Sequence, residues 1–345
     1  MYRLLDAAAN RAGEALRVVE DYTRFVLEDV YLTAQWKSLR HDLTTALESI
    51  PMSLRCAVRN TQHDVGTDLS LPEERGRKDL WDLAGANLSR LQQALRSLEE
   101  TTKLIDENLA VRIESLRYQS YTLAAAMQIT QDSRRCLESV RLCVLVDGCQ
   151  SSDDFCHRVR VLVEAGVDAI QLRDKLKNDR DLLDRARLLS ELTTGYPTLF
   201  LMNDRPDLAI LSRADGVHLG QTDLAVKEVR QLVGANCLVG VSTHNIEQAR
   251  QAVLDGANYL GVGPVFPSRT KSFQQFPGLP FLQQVACEVR LPAFAIGGIN
   301  LENAGSVLES GIDRLAVATA VTEAADMATA VRDLRRILEG SLTSG

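Results

Sequence analysis

The chain has 345 residues, of which 46 are acidic and 39 basic, giving a formal net charge of −7. This length allows two domains, and the apolar and charged fractions are those of a soluble globular protein. The negative charge argues against a nucleic-acid partner, because proteins that hold phosphate backbones usually carry a basic stripe. Seven widely spaced cysteines without a C-x-x-C pair exclude a disulfide framework and a zinc site, so we expect a reduced cytoplasm. Early charges at the N-terminus and the lack of a long apolar run predict neither a signal peptide nor a membrane span.

Residues 1–130 predict an all-α domain, because their apolar side chains recur at three- and four-residue intervals. The domain contains an internal repeat, in which one helical segment matches a later one at a fixed offset. The matching residues are Arg11, Ala15, Leu16, Arg17, Glu20, Asp21 and Thr23, followed by Arg90, Ala94, Leu95, Arg96, Glu99, Glu100 and Thr102. One interpretation is a duplicated helical hairpin whose Arg and Glu side chains form solvated pairs. The other is a polar site between two pseudo-symmetric helices that have Asn10 and Asn87 near their beginnings.

The pattern changes around Arg134. Residues 131–139 are expected to form a linker, and residues 140–340 alternate short apolar runs with amphipathic segments. The eight expected strands are Leu142–Val146, Ala169–Leu172, Leu199–Met202, Gly216–Leu219, Leu238–Val241, Tyr259–Val262, Ala293–Ile296 and Arg314–Val317. Eight βα units predict an α/β fold, a C-terminal (β/α)8 TIM barrel preceded by the all-α domain. A doubly wound open sheet is the alternative, but its Gly-rich dinucleotide motif is missing after the first strand.

Polar residues follow the predicted strands, at the end of a parallel barrel that carries the active site. Asp204 and Asp223 end two successive strands. A helix cap would explain either carboxylate alone, but with cations nearby the pair favours a divalent metal. Arg173, Lys175 and Lys271 come from three loops that meet at one mouth, where together with Mg²⁺ they would neutralise a diphosphate.

A second anion site is predicted after the last two strands. Gly297 precedes one helical segment and Ala318-Thr319 precede another, as in barrels that bind a monophosphate there. His218 ends an apolar strand, and for this residue a structural role is favoured over that of a base; His244 is treated with the same scepticism. Because no nucleophile is paired with a base, the site fits chemistry driven by loss of a diphosphate.

From about residue 142 to residue 338 the chain resembles thiamine phosphate synthase. The motifs that carry the resemblance are QLRDK, FLMNDR, DGVHLGQTD, GVSTH, GPVFPSRTK and AIGGI, in that order. The resemblance implies a transferase that joins 4-amino-2-methyl-5-(diphosphooxymethyl)pyrimidine, here the pyrimidine diphosphate, to 4-methyl-5-(2-phosphooxyethyl)thiazole, the thiazole phosphate. It also implies a dissociative reaction, in which diphosphate leaves before the thiazole nitrogen attacks, so electrostatic stabilisation would supply most of the catalysis.

The resemblance assigns roles to individual residues. Lys175, Ser242 and Lys271 would be catalytic, and Asp204 and Asp223 would hold the Mg²⁺ cofactor. The residues that would bind substrate are Gln171, Leu172, Arg173, Asp174, Lys175, Asn203, Ser242, Ser268, Arg269, Thr270, Lys271, Gly297, Ala318 and Thr319.

The first 130 residues resemble a helical domain that is proposed to be an alternative hydroxymethylpyrimidine-phosphate kinase. The residues that carry this resemblance are Asn10-Arg11, Glu14-Ala15-Leu16-Arg17, Glu20, Arg24, His63-Asp64, Gly66 and the repeat from Asn87 to Glu100. It implies that the domain makes the pyrimidine diphosphate, although no G-x-x-x-x-G-K-[ST] loop is present. The alternative is a barrel isomerase similar to thiazole tautomerase with a non-enzymatic helical dimerisation domain. The expected partners are small molecules, and not nucleic acid or membrane, and a homo-oligomer is left open.

Overall fold

The computed structural model describes residues 1–59, 76–267 and 276–340. Contacts divide the chain into two compact units, Met1–Gln128 and Ile129–Gly345. None of the helices in the described stretches combines the length and the apolar content that a membrane crossing needs.

The described residues of the first unit form helices and no strands, which confirms the all-α prediction. Its helices are α1 (Tyr2–Phe25), α2 (Val30–Leu47), α3 (Met52–Ala57), α4 (Leu80–Thr102) and α5 (Glu107–Cys136), the last of which continues into the second unit. α1 packs chiefly against α4. The ring of Tyr22, near the end of α1, lies 5.6 Å from that of Trp81, near the beginning of α4. The two helices therefore run antiparallel.

The internal repeat corresponds to α1 and α4, and its matching residues occupy matching environments. Thr23 and Thr102 are fully buried, and each hydroxyl donates to the backbone carbonyls three and four residues before it. Glu20 and Glu99 are 4% and 2% exposed. The interpretation of solvated Arg–Glu pairs therefore does not hold for the two glutamates, because both carboxylates are buried.

Each buried glutamate pairs with two arginines, one on its own helix and one on the next helix of the same hairpin, and Glu99 also pairs with Lys103 at 3.4 Å. α1 and α2 form the first hairpin, and α4 and α5 form the second. A buried carboxylate keeps its charge only when cations and hydrogen bonds replace water. The nitrogen–oxygen distances are 3.2 Å for Arg17–Glu20, 2.7 Å for Arg40–Glu20, 2.8 Å for Arg96–Glu99 and 2.6 Å for Arg117–Glu99.

The expected linker, residues 131–139, is not an open connection. Helix α5 continues to Cys136, and the next residues belong to the barrel. Leu137 and Val140 are buried in the hydrophobic cluster of the barrel interior. The backbone carbonyl of Leu137 also accepts a hydrogen bond from Arg314, at 3.3 Å. The sequence change near Arg134 therefore coincides with the end of helix α5.

The second unit contains a closed barrel of eight parallel strands in sequence order, which confirms the predicted fold. The strands are β1 (Leu142–Val146), β2 (Ala169–Leu172), β3 (Leu199–Asn203), β4 (Gly216–Leu219), β5 (Leu238–Thr243), β6 (Tyr259–Val262), β7 (Ala293–Ile296) and β8 (Leu315–Val317). The helices are α6 (Ser152–Glu164), α7 (Asp179–Thr193), α8 (Pro206–Ser212), α9 (Val226–Val233), α10 (Ile246–Asp255), α11 (Gly278–Glu288), α12 (Ala304–Glu309), α13 (Thr319–Thr322) and α14 (Met327–Gly340). The observed strands differ from the expected ones by at most two residues at an end.

Apolar side chains fill the barrel interior, among them those of Leu201, Tyr259 and Phe294. The rings of Tyr259 and Phe294 meet edge to face at 5.6 Å. Tyr259 also needs the glycine on the neighbouring strand, since a Cβ atom at Gly240 would lie 2.0 Å from Cζ of its ring. The missing side chain at Gly240 thus leaves room for a tyrosine in the interior.

Candidate active site

The end of β2 and the loop after it contain five predicted binding residues, 171–175. The buried side chain of Gln171 lines a cavity of about 20 Å³ inside the barrel. Because strand side chains alternate between faces, that of Leu172 points away from this cavity, toward the helices. Arg173 is half-buried and forms no ion pair with the described residues, whereas the side chain of Lys175 is 63% exposed. Gln171, Arg173 and Lys175 are therefore the side chains here that can meet a substrate.

Asp174 organises the loop that carries Arg173 and Lys175. Its carboxylate accepts hydrogen bonds from the backbone N–H groups of Gly148 at 3.0 Å, Leu176 at 2.8 Å and Lys177 at 3.0 Å. Burial alone would raise the pKa of Asp174, but these backbone donors hold it below its usual value. In this structure the carboxylate contacts the protein backbone and fixes the loop.

The carboxylates of Asp204 and Asp223 lie next to each other, after β3 and β4. Burial raises the pKa of Asp204, and so do the hydrogen bond and the charge of the neighbouring Asp223. Nζ of Lys175 lies 3.5 Å from Oδ2 of Asp204, and its charge opposes this rise. Asp223 in addition accepts a hydrogen bond from the backbone N–H of Gly220, at 2.6 Å. The two adjacent carboxylates can bind a cation, and the lysine beside them can bind an anion at the same place.

Asp204 has a left-handed backbone conformation, with φ of 61°. This region is costly for residues other than glycine, although aspartate tolerates it better than most. The backbone N–H of Asp204 donates to the carbonyl oxygen of His218 at 2.8 Å. The next residue, Arg205, forms paired hydrogen bonds with Asp179 of α7 and with Asp207 of α8. Arg205 therefore ties the turn that contains Asp204 to the first turns of α7 and α8. Sequence reasoning missed this role of Arg205.

Ser242 belongs to a row of polar side chains that crosses β4, β5 and β6. Its Oγ lies 2.9 Å from Nε2 of His218, and Nδ1 of His218 lies 3.2 Å from the hydroxyl oxygen of Tyr259. Burial lowers the pKa of His218 to about 4, with Asp223 opposing and Arg173 adding to the effect. The imidazole is therefore neutral at neutral pH.

Tyr259 is the member of this row that sequence reasoning missed. It lies 41 residues after His218 in the chain, so no local pattern links the two. Burial raises the pKa of Tyr259 well above its usual value, so the phenol stays protonated. The available signal was a tyrosine in an otherwise apolar strand, whose hydroxyl needs a partner when buried. His244 is separate from this row, since its Nδ1 donates to the carbonyl of Gly263 at 2.5 Å.

The predicted monophosphate residues lie after β7 and β8. Gly297 has φ of 104°, and a Cβ atom there would lie 2.7 Å from Cβ of Pro264. Only glycine therefore fits where the loops after β6 and β7 touch. Ala318 directly precedes the short helix α13, whose first residue is Thr319. Asn203, the remaining described candidate, ends β3 beside His218 of β4.

Four predicted residues lie outside the described residues: Ser268, Arg269, Thr270 and Lys271. The described residues bring together five charged and polar candidates at the ends of β2 to β5. These are Arg173, Lys175, Asp204, Asp223 and Ser242.

Known proteins that resemble the chain cover nearly all of it. Residues 142–321 match the profile of the family described as thiamine monophosphate synthase. A thiamine-phosphate synthase of Rhodopirellula baltica is 44% identical over 98% of this chain and 92% of its own length. The chain belongs to the thiamine-phosphate synthase family. The prediction of an enzyme of this transferase family is thereby confirmed.

Two further comparisons show how the family features are distributed along the chain. A thiamine-phosphate synthase of Thermosynechococcus vestitus is 40% identical over 98% of this chain and 95% of its own. A solved thiamine phosphate pyrophosphorylase from Pyrococcus furiosus superposes with a TM-score of 0.53 at 36% identity, covering 59% of this chain and 97% of that chain. Residues 3–126 match the ThiD2 family. Both predicted resemblances are confirmed, and nothing in the comparisons supports the tautomerase-like alternative.

Proposed function

We propose that the barrel joins the pyrimidine diphosphate to the thiazole phosphate, giving thiamine monophosphate and diphosphate. The observation that carries the proposal is the cluster of Lys175, Asp204 and Asp223. Arg173 lies on the same loop as Lys175, and among the described residues it forms no ion pair. Such a cluster can bind a metal and a highly charged anion at one point. Membership of the thiamine-phosphate synthase family supports the same reaction.

The proposed cofactor is Mg²⁺, held by Asp204 and Asp223. The donor set fits this ion, because adjacent carboxylates repel each other and a divalent cation between them would offset the repulsion that raises the pKa of Asp204. No third Asp, Glu, His or Cys completes a metal cluster in the described residues. Magnesium commonly uses only one or two carboxylates together with substrate phosphates. When bound, the ion would neutralise part of the charge on the diphosphate.

The chain's own residues would act by binding and orienting charge. Lys175 and Arg173 would lie against the diphosphate and stabilise the negative charge that grows as the bond to the pyrimidine methylene breaks. The amide of Gln171, at the cavity below, would orient the pyrimidine ring. Gly297 and the beginning of α13 would hold the thiazole phosphate, so that the thiazole nitrogen faces the carbon that loses diphosphate. No residue has to accept a proton in this sequence of steps.

The barrel proposal is tested with the full-length chain, Mg²⁺, thiazole phosphate and the pyrimidine diphosphate, followed by measurement of thiamine monophosphate. We expect product with wild-type protein and a loss of at least about a hundredfold with Lys175→Ala, as for other charged transition-state contacts. Lys227→Ala, which removes an exposed lysine of α9, serves as the control and should keep wild-type turnover. Absence of product with wild-type protein would overturn the proposal.

We also propose that the helical unit phosphorylates the pyrimidine monophosphate to the diphosphate. The match of residues 3–126 to the ThiD2 family is the observation that favours it. In the assay above, the pyrimidine would be supplied as its monophosphate, with and without ATP. Thiamine monophosphate that depends on ATP would support the kinase. No product from the monophosphate and ATP, under conditions in which the diphosphate gives product, would contradict it. The cytoplasm is the compartment proposed for both activities, since all seven cysteines are free thiols.

A further inference from the structure

Three polar groups form a row in the barrel interior: the hydroxyl of Tyr259, the imidazole of His218 and the hydroxyl of Ser242. Each lies on a different strand, and only the last reaches the mouth where substrate would bind. The two contacts measure 3.2 Å and 2.9 Å. In a neutral imidazole one ring nitrogen donates and the other accepts. The partner at one nitrogen therefore determines whether the other nitrogen donates to or accepts from the second hydroxyl.

The direction follows from counting donors. The phenol of Tyr259 is buried, and His218 is its only hydrogen-bond partner in the described residues. A buried O–H group without an acceptor is costly, so the phenol donates its hydrogen to Nδ1 of His218. The ring hydrogen must then be on Nε2, which donates to Oγ of Ser242. The opposite tautomer would leave the phenol hydrogen without an acceptor among these residues.

The backbone beside this row is shaped to hold it. Gly240 leaves room for the Tyr259 ring, which Phe294 also contacts. A Cβ atom at Gly261 would lie 3.0 Å from Cε1 of His218, so this second glycine leaves room for the imidazole beside β6. The two glycines thus allow both rings to lie close to the strand backbone.

We infer that Tyr259 and His218 are positioning residues that make Ser242 a hydrogen-bond donor toward the substrate. With Oγ already accepting from His218, the O–H of Ser242 is directed to an acceptor oxygen of the diphosphate. The inference rests on the proposed function, in which Ser242 contacts the pyrimidine diphosphate. A donor aimed at the departing diphosphate gains strength as negative charge develops, so its loss lowers kcat more than it changes KM.

The tautomer of His218 is the first measurement, made on full-length protein labelled with ¹⁵N in its histidines. Long-range ¹⁵N–¹H correlations distinguish a hydrogen on Nε2 from one on Nδ1, and the spectrum of His218→Gln identifies the signals of His218. We expect Nε2–H in the wild-type protein and a shift toward Nδ1–H in Tyr259→Phe, which removes the donor and keeps the ring. Nδ1–H or a charged imidazole in the wild-type protein would overturn the inference.

Steady-state kinetics of thiamine monophosphate formation is the second measurement. Tyr259→Phe is expected to lower kcat by roughly tenfold with little change in KM, the effect of losing one oriented hydrogen bond. Tyr196→Phe removes a hydroxyl from an exposed tyrosine and should leave both parameters unchanged. Wild-type kcat in Tyr259→Phe would overturn the inference while leaving the proposed function intact. Absence of product from the wild-type protein would instead contradict the proposed function, and the tautomer would still report on the row.

Discussion

The carboxylates of Asp204 and Asp223 repel each other, and a bound cation would offset this repulsion. The pKa of Asp204 is raised by burial and by Asp223, so the folded chain holds this proton more tightly than the unfolded chain does. The charged pair therefore lowers stability at neutral pH, and this cost disappears as pH falls through the raised pKa toward 3.8, the ordinary value. The exposed Lys175 offsets the cost only weakly, because water screens its charge.

Asp204→Asn should remove this repulsion. Without metal at neutral pH, we expect a thermal midpoint equal to or above that of the wild-type protein, together with loss of synthase activity. Mg²⁺ should raise the midpoint of the wild-type protein, since a ligand that binds the native state stabilises it, but not that of the variant. Calorimetry at several pH values measures both effects, and the difference between the two proteins should shrink in acid.

The control for this variant is Asp184→Asn, which changes an exposed carboxylate on α7. It should alter neither the midpoint nor the response to Mg²⁺. A magnesium response that survives in Asp204→Asn would contradict the metal assignment.

At the residue scale, sequence motifs predicted which residues would gather but not how each acts. The strand ends were recognisable, so Lys175, Asp204 and Ser242 could be placed at one mouth in advance. The contact of Asp174 with the backbone N–H of Gly148 could not, because it depends on the path of two loops from different βα units. Tyr259 was missed for a similar reason, since its partner lies on another strand.

The side chain of Asp174 binds three backbone N–H groups around the loop after β2. Asp174→Ala would leave three backbone N–H groups without their acceptor, which we expect to cost about 1–3 kcal/mol of the free energy of unfolding. The KM for the pyrimidine diphosphate should rise, because Arg173 and Lys175 belong to this loop and would be less well positioned to bind the diphosphate. Urea denaturation and steady-state kinetics measure the two effects. Asp174→Asn keeps one acceptor oxygen and should fall between wild type and Asp174→Ala; equal KM in all three proteins would contradict this role.

The lowered pKa of Asp174 also makes the free energy of unfolding depend on pH. This pKa is lowered in the folded chain, because the backbone donors outweigh burial. The stabilisation is therefore complete above the ordinary value of 3.8 and is lost as pH falls through the lower folded value. Asp174→Asn should not show this acid-dependent loss.

Two neighbouring glutamates on α4 allow the contribution of a buried ion pair to stability to be compared with that of an exposed one. Glu99 is buried against Arg117, whereas Glu100 is exposed and pairs only with solvated side chains. Glu99→Ala leaves Arg117 without its main carboxylate and should destabilise the helical unit by about 3–5 kcal/mol. Glu100→Ala should have a small effect, as for other surface ion pairs. Denaturation followed by helix content compares the two, and similar losses would contradict the role of the buried pair.

At the level of elements, the barrel was more predictable than the charges in the helical unit. Strands of a parallel barrel are buried on both faces and appear as short apolar runs, which is why all eight were found. The burial of Glu20 and Glu99 escaped prediction, because their covering arginines lie 20 and 18 residues away on other helices. Helical spacing reveals only neighbours on the same helix.

At the scale of the whole molecule, the barrel should keep its activity when the helical unit is removed. The Pyrococcus furiosus pyrophosphorylase is matched over 97% of its length by only 59% of this chain. A protein that begins at Ile129 retains Ser133, which accepts a hydrogen bond from Asn258, and the buried Leu137. We expect it to make thiamine monophosphate from the pyrimidine diphosphate at the wild-type rate.

A protein that begins at Leu142 is the contrasting case. It lacks Leu137 and Val140, which are buried in the barrel interior, and loss of one such side chain costs about 2–5 kcal/mol. We expect a lower thermal midpoint than for the protein that begins at Ile129. Equal midpoints would show that residues 129–141 add nothing to the stability of the barrel, as expected if the segment around 131–139 is only a linker.

The two hairpins of the helical unit each contain their own counter-ions. Glu20 is matched by Arg17 and Arg40, and Glu99 by Arg96, Arg117 and Lys103. Among the described residues, no ion pair of either glutamate therefore links α1–α2 to α4–α5. What joins the halves is the packing of α1 on α4. A chain cut between residues 60 and 75 should therefore reassemble from two separately produced fragments. This property would make the domain a natural split reporter, in which association of the fragments restores a single folded unit.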